Sequence, residues 1–177
     1  MKYGKDIEKQ TLLLTEKYKD FVQSFNCGNE VMDNYLKDKA IDDPQATTFI
    51  TIDVEDQTII GYYTLSCSGL VLTHGYDKIT VYPAVEIKMF AIDEKYQHLP
   101  YSDDEDYGNL SSMLFSDVIG HIYQFTDEQC GADKILLHSV PDAHNFYLRS
   151  GFSDYEEFMK PSTSLFTDGC IPMYMDL

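Results

Sequence analysis

The chain has 177 residues, no tryptophan and a single arginine, Arg149. A groove that follows nucleic-acid phosphates needs several basic side chains, so this shortage makes nucleic acid an unfavoured partner. No stretch approaches the ~18 apolar residues of a membrane span, and the start "MKYGKDIEKQ" lacks the apolar run of a signal peptide. We therefore expect a cytoplasmic protein with no membrane contact.

The chain also lacks paired cysteines. Cys27, Cys67, Cys130 and Cys170 lie far apart and form no CxxC motif. This spacing argues against both a zinc site and a disulfide framework. We expect reduced, half-buried thiols and no metal site.

Basic residues are scarce after the first forty positions. Residues 1–40 contain seven lysines and seven acids, whereas residues 41–177 contain 23 acids and six bases and carry the whole net charge of −17. Such a field repels nucleic acid and acidic membranes and attracts cations. The simpler reading, a soluble acidic surface without meaning for partners, stays open.

A hydrophobic fraction of 44% in a chain of this length predicts one domain over residues 1–177. "QTLLLTE" has the length of a strand, and "CGNEVMDNYLKDKA" has helical spacing with Asn29 as N-cap. "ATTFITIDV" and "TIIGYYTLSCS" predict an antiparallel hairpin, and "AVEIKMFAID" predicts a central strand covered on both sides. The face predicted to be buried on the first helix consists of Val31, Met32, Tyr35, Leu36 and Ala40.

The second half alternates helices and strands. "NLSSMLFSDVIGHIYQFTDE" predicts a long amphipathic helix, "KILLHSV" a buried strand and "CIPMYMDL" a closing strand. "DAHNFYLRSGF" predicts a short helix with Asp142 as N-cap and Gly151 as the left-handed residue that ends it. The long helix should bury Met113, Leu114, Val118, Ile122 and Phe125, and the short one Ala143, Phe146, Tyr147 and Ser150. The order predicts a mixed α/β domain of the α+β kind.

This succession of strand, glycine-bearing loop, long helix, strand and "AHNFYLRSGF" resembles the GNAT family of acetyl-CoA-dependent N-acetyltransferases. The early stretch "FNCGNEVMDNYLKDKA" is similar to a narrower signature, F-x-C-G-x-x-x-hydrophobic-D-x-aromatic-L-x-x-x-A, of the branch that contains toxin acetyltransferases. The resemblance runs from Phe25 to Leu177. It implies the GNAT fold, a central mixed and mostly antiparallel twisted sheet flanked by helices, and acetyl-CoA as cosubstrate.

The resemblance also implies site residues. The pantetheine arm should run along the end of the central strand, with backbone contacts from Phe90, Ala91 and Ile92 and an N–H that polarises the thioester carbonyl. The family's tyrosine on the late helix maps onto Tyr147, which would act as general acid at the coenzyme sulfur, and Asn145 would contact the coenzyme. A second reading, Tyr147 as a packed core aromatic, stays open.

Glu86 is the candidate base, because it is the one acid in a run that otherwise looks buried. Burial should raise the pKa of its carboxyl toward a useful range. The alternatives are a solvated strand residue, a residue paired with Lys88, or a family member without a dedicated base that uses a water chain.

The pyrophosphate signature of the family, Q/R-x-x-G-x-G/A, is interrupted here. Gln97 begins it, but ten residues, 98–107, intervene before Gly108, and Leu110 replaces the second small residue. Backbone N–H groups and hydroxyls at the helix start can still face phosphates. These coenzyme-binding candidates are Gly108, Asn109, Leu110, Ser111 and Ser112.

Four consecutive acids, residues 103–106, lie inside this insertion. At ~4 Å and an effective dielectric of ~20, each pair of like charges costs on the order of 4 kcal/mol. The acids must turn to solvent, bind a cation or weaken coenzyme binding, and a solvated loop is the favoured interpretation.

Three functions follow. The first is an N-acetyltransferase that acts on a primary amine of a small cationic molecule or a peptide. The second is a toxin-type acetyltransferase acting on aminoacyl-tRNA, and the third is a non-catalytic GNAT-fold protein that binds a protein partner. A homodimer is compatible with each.

Overall fold

A computed structural model describes residues 3–75, 78–104, 108–161 and 167–177. In these ranges the helices are α1 (Glu30–Asp38), α2 (Leu110–Glu128) and α3 (His144–Arg149). The strands are β1 (Lys9–Leu13), β2 (Thr47–Asp53), β3 (Thr58–His74), β4 (Lys78–Ile92), β5 (Lys134–Ser139), β6 (Ser153–Asp154), β7 (Met159–Lys160) and β8 (Ile171–Asp176). Each helix and strand predicted from the sequence is present.

The strands form one mixed sheet with the order β1-β2-β3-β4-β5-β8-β6, and β7 pairs with β3. β4 and β5 are parallel, whereas β1 with β2, β2 with β3, β5 with β8 and β6 with β8 are antiparallel. The prediction of an α+β fold with a mixed, mostly antiparallel sheet is therefore confirmed.

The chain forms two compact units. The first comprises Met1–Leu65 and Met89–Ile119, and the second comprises Ser66–Lys88 and Gly120–Leu177. β3, β4 and α2 each contribute residues to both units. The single domain expected over residues 1–177 stays a prediction.

The core of the first unit contains α1 and the strands β1, β2 and β3. Tyr35 and Leu36 of α1 are buried with Ile50 and Tyr62, as the helical spacing predicts. The prediction for Val31 is wrong, because its side chain is 56% exposed. Asn29 is the N-cap as expected, and its side-chain oxygen accepts hydrogen bonds from the N–H groups of residues 31 and 32.

The early signature fastens the start of α1 to the end of β4. The N–H of Asn26 donates to Asp93 at 3.0 Å, and its side-chain amide donates to Glu94 at 2.9 Å. The N–H of Cys27 donates to the buried Asp33 at 2.9 Å. Burial, with the neighbouring Asp33 carboxylate, raises the pKa of the Cys27 thiol to about 12. The thiol therefore stays protonated and unreactive at neutral pH.

In the second unit, β5 lies between β4 and β8, and α3 follows it. The prediction of Asp142 as N-cap is wrong, because Pro141–Ala143 forms a separate 3-10 turn and α3 begins only at His144. Pro141 is pre-organised for the first position of such a turn, which moves the helix start past Asp142. The end of the helix is as predicted, since Gly151 has a φ of +94°.

α2 buries a stripe close to the predicted one. Leu114, Val118 and Ile122 are buried, Met113 and Phe125 are only half-buried, and Phe115 is buried although the sequence pattern omitted it. Within the ranges that the structure covers, no helix is both long and apolar enough to cross a bilayer. The four cysteines are free thiols, with Cys27 and Cys170 half-buried as expected and Cys67 and Cys130 exposed.

Candidate active site

The end of β4 offers backbone rather than side chains. Its ladder with β5 runs from Ala84 to Ile87, and β4 then continues to Ile92. The side chains of Ala91 and Ile92 are buried, and the ring of Phe90 lies edge-on to Phe115 with centroids 5.0 Å apart. At residues 91 and 92 only main-chain atoms can therefore contact a ligand without opening the core, whereas the side chain of Phe90 is half-buried.

On the β3 side this segment is tightly held. A Cβ on Gly61 would lie 2.6 Å from the carbonyl oxygen of Ala91, so only glycine allows so close an approach. The N–H of Asp93 donates to Ile60 at 2.9 Å, and the side-chain amide of Gln97 donates to the carbonyl of Ile92 at 2.8 Å. Close packing and hydrogen bonds thus hold the strand end in place on this side.

The side chain of Gln97 links two segments of the backbone. Besides Ile92, its amide nitrogen donates to the carbonyl of Cys27 at 2.9 Å. The residue that begins the interrupted phosphate signature therefore fastens the strand end to the α1 loop.

The two ends of the insertion after Gln97 are hydrogen-bonded to each other. Pro100 and Asn109 form an antiparallel bridge, and the N–H of Tyr101 donates to the carbonyl of Gly108 at 3.0 Å. We refer to these four residues as the neck. Because the neck closes the insertion, the ten extra residues do not displace the start of α2.

The start of α2 has fewer phosphate donors than expected. The N–H of Leu110 donates to Leu99 at 2.8 Å, and its side chain is fully buried. The N–H and hydroxyl of Ser112 donate to the side-chain oxygen of Asn109 at 2.9 and 3.0 Å. Leu110 and Ser112 are thus already engaged, and the predicted donors that remain are Gly108, Asn109 and Ser111.

The acidic loop is partly neutralised. Lys5 lies 2.6 Å from Asp103, both side chains are exposed, and the lysine lowers the pKa of that carboxyl. Glu105 and Asp106, the other half of the predicted cluster, lie outside the described residues. No group of three potential ligands for a metal ion occurs in the described part of the chain.

Tyr147 lies on the buried face of α3, 9% exposed. Its ring packs edge-on against Phe146 and Phe152, with centroids 5.2 and 6.1 Å away. Burial, with a smaller contribution from Cys170, raises the pKa of the phenol well above its ordinary value. The hydroxyl thus stays protonated at neutral pH. Asn145 lies on the exposed face of the helix.

Glu86 lies beside a histidine that the sequence analysis did not select. Nδ1 of His138 on β5 is 3.4 Å from Oε1 of Glu86, and their side chains are 9% and 15% exposed. His138 lowers the pKa of the Glu86 carboxyl more than burial raises it, and Ser68 and Lys88 lower it further. The expected upward shift is therefore wrong in sign, and the main charged neighbour is His138 rather than Lys88.

His138 has no hydrogen bond at either ring nitrogen among the residues that the structure covers, although both atoms are buried. A buried nitrogen without a hydrogen bond lowers the stability of a fold by about 1–3 kcal/mol. Here the Glu86 carboxylate, 3.4 Å from Nδ1, is a charged neighbour but forms no hydrogen bond with the ring. The alternation of β5 places Leu136 and His138 on one face of that strand, which the sequence alone indicates. The parallel register then sets Glu86 opposite Leu136 and so close to His138. That register depends on the fold and could not be read from one strand.

The sequence matches no protein-family model and no curated protein. Solved structures do resemble the chain. A bacterial toxin superposes with a TM-score of 0.71 at 19% identity, covering 96% of this chain and 91% of its own. The KacTA–DNA complex gives 0.67 at 18%, covering 96% and 93%, and AtaT complexed with acetyl-methionyl-tRNAfMet gives 0.65 at 17%, covering 93% and 94%.

At these identities the similarity establishes the fold. The chain has the fold of this group of toxins over nearly its whole length, which confirms the GNAT fold that the sequence resemblance implied.

Proposed function

We propose that the protein is an acetyl-CoA-dependent N-acetyltransferase. The observation that carries this proposal is the shared fold, because one of the similar structures is AtaTR bound with AcCoA. The end of β4 adds to it, since residues 88–92 extend past the β5 ladder and the side chains of Met89, Ala91 and Ile92 are buried.

The coenzyme would be held by main-chain groups. The pantetheine arm extends along residues 90–92 in the manner of an added strand, and an N–H of this segment polarises the thioester carbonyl. The pyrophosphate lies at the start of α2, where Gly108, Asn109 and Ser111 donate and the helix adds partial positive charge. Asn145, on the exposed face of α3, is a further coenzyme contact.

Tyr147 assists the departure of the thiolate. Its raised pKa keeps the proton on the phenol, so the hydroxyl donates to the sulfur as negative charge develops there. Two of the similar structures are tyrosine-to-phenylalanine mutants, one of KacT and one of the AtaT toxin.

Glu86 receives the proton of the amine, directly or through a water. The acceptor nitrogen must be neutral to attack, and an alkyl amine has a pKa near ~10. A half-buried carboxylate attracts the ammonium form and then takes up its proton. The excess of acids beyond residue 40 favours a small cationic amine or a peptide amine as acceptor.

Aminoacyl-tRNA is the second candidate, because AtaT was solved with acetyl-methionyl-tRNAfMet. Against it, several lysines are held by carboxylates rather than presented to phosphates. These ion pairs are Lys5–Asp103, Lys9–Asp117, Lys19–Glu16 and Lys134–Asp176.

A thermal-shift titration with acetyl-CoA tests the proposal, since a ligand at 100 times its Kd stabilises a protein by about 2.7 kcal/mol. We expect a rise in Tm with acetyl-CoA, followed by thiol release when an acceptor is added. Spermidine, a lysine-containing peptide and methionyl-tRNA are then compared as acceptors. A Tm unchanged at millimolar acetyl-CoA would instead support a non-catalytic binding protein.

A further inference from the structure

The Glu86–His138 pair is unusual because the histidine has no structural partner except the carboxylate. Buried side-chain nitrogens in folded proteins are nearly always hydrogen-bonded. Both ring nitrogens of His138 are enclosed yet unbonded within the described ranges, and the contact to Glu86 is 3.4 Å. If His138 served only to fill space, an apolar side chain of similar volume could replace it with no decrease in stability.

The pair lies in the second unit, where other polar side chains act on Glu86 or are affected by its charge. Ser68 on β3 and Lys88 on β4 act on Glu86. Tyr155, after β6, has its pKa raised to about 12 by burial and by the charge of Glu86. Tyr174 of β8 stacks edge-on with Tyr155, with centroids 6.2 Å apart.

One further charged group of this unit is Lys134 of β5, and it is engaged by Asp176 at 2.6 Å. Imidazole is a side chain that proteins commonly use to accept and pass on protons. A proton that reaches Glu86 can be shared with His138, whose Nδ1 lies 3.4 Å from the carboxylate oxygen.

We propose that His138 is a positioning residue for Glu86 and that the two side chains together hold the proton lost by the acceptor amine. The proposal rests on the acetyltransferase function proposed above. It assigns to β5 a role in the reaction that the sequence resemblance did not imply.

The step balances as follows. The neutral amine attacks the thioester carbonyl carbon, so that a C–N bond forms and the C–S bond breaks. The amine proton passes to the Glu86 carboxylate, is shared with His138 and then leaves to solvent. The sulfur leaves as a thiolate and takes the phenol proton of Tyr147, which is restored from solvent.

While the two side chains are in contact, the pKa of the Glu86 carboxyl is lowered, chiefly by His138, so the carboxylate holds an amine proton only weakly. The ring nitrogen at 3.4 Å gives that proton a second site. At low pH the Glu86 carboxylate is already protonated and cannot accept the amine proton.

The test compares kcat/KM against pH for the wild type and the variants His138→Gln, Glu86→Gln and His121→Gln. The acceptor is whichever of spermidine, the lysine peptide or methionyl-tRNA the wild type acetylates. His121→Gln is the matched control, because it removes a half-buried histidine of the same unit that lies on α2. Acetyl-CoA affinity, measured by thermal shift, reports that each variant is folded.

We expect His138→Gln to lower the plateau of kcat/KM by about 10- to 100-fold, with acetyl-CoA affinity unchanged. Its acid limb should move to higher pH, because the neighbour that lowers the pKa of the Glu86 carboxyl is lost. His121→Gln should retain the wild-type profile. If His138→Gln does not fold, Glu86→Gln decides instead: its acid limb should disappear, because the carboxylate whose protonation causes that limb is lost.

The two proposals fail differently. Turnover by the wild type with an unchanged profile in His138→Gln, or in Glu86→Gln if that variant is the one that folds, removes the role of His138 and leaves the acetyltransferase intact. Absence of turnover by the wild type with all three acceptors removes the acetyltransferase and the role of His138 with it.

Discussion

At the scale of single residues, burial decides what the phenol of Tyr147 can do. Its ring is enclosed by Phe146 and Phe152, and the raised pKa rules out a phenolate at neutral pH. The sequence suggested either a packed aromatic or a proton donor, and the geometry is compatible with one residue serving as both. Packing holds the ring in place, and the proposed role in the reaction belongs to its O–H group.

Replacing Tyr147 by Phe separates these two roles, because the ring stays and only the hydroxyl is lost. We expect kcat to fall by about 10²- to 10³-fold with little change in acetyl-CoA affinity. Steady-state kinetics and a coenzyme titration measure the two quantities. Tyr123→Phe is the control, since Tyr123 on α2 is 41% exposed and should retain full activity. Equal turnover in both variants would exclude Tyr147 from the reaction.

At the scale of elements, two glycines contribute in opposite ways to the stability of the protein. Gly28 has a φ of +82°, and a Cβ there would lie 2.7 Å from Oε1 of Glu94, the residue that binds Asn26. Gly120 lies in α2 with no atom within 4 Å of a Cβ. The first is required by the junction between α1 and β4, and the second only weakens its helix.

Gly28→Ala should therefore destabilise the protein by about 1–3 kcal/mol, because alanine is strained at this φ and crowds Glu94. Gly120→Ala should stabilise it by about 1 kcal/mol, the difference in helix propensity. Urea unfolding of the two variants beside the wild type gives both values. A Gly28→Ala protein as stable as the wild type would contradict the structural role given to the early signature.

The spacing of apolar residues predicted the helices and strands well, but it did not predict which side chains of different strands lie close together. The spacing in "EVMDNYLKD" and the alternation in "ATTFITIDV" determine a helix and a strand because burial acts locally on these patterns. The Asp142 cap failed because Pro141 supplies a competing turn. His138 escaped notice because its neighbour, Glu86, is set by the parallel register of β4 and β5, which no local pattern contains.

At the scale of the whole molecule, net charge separates the candidate acceptors. The charge of −17 attracts a polyamine and repels tRNA, and both effects are screened by salt. Raising the ionic strength from about 50 to 200 mM should therefore raise KM for spermidine and lower KM for methionyl-tRNA. Initial rates across a salt series measure this. A KM for tRNA that rises steeply with salt would reveal a basic groove and reverse the preference between acceptors.

The neck also bears on how this chain could have diverged from its relatives. Because Tyr101 and Gly108 are hydrogen-bonded across its base, a short reverse turn could replace residues 102–107 without moving Gln97 or the start of α2. The sequence between Tyr101 and Gly108 can therefore change in length and charge while the hydrogen bonds of the neck stay in place.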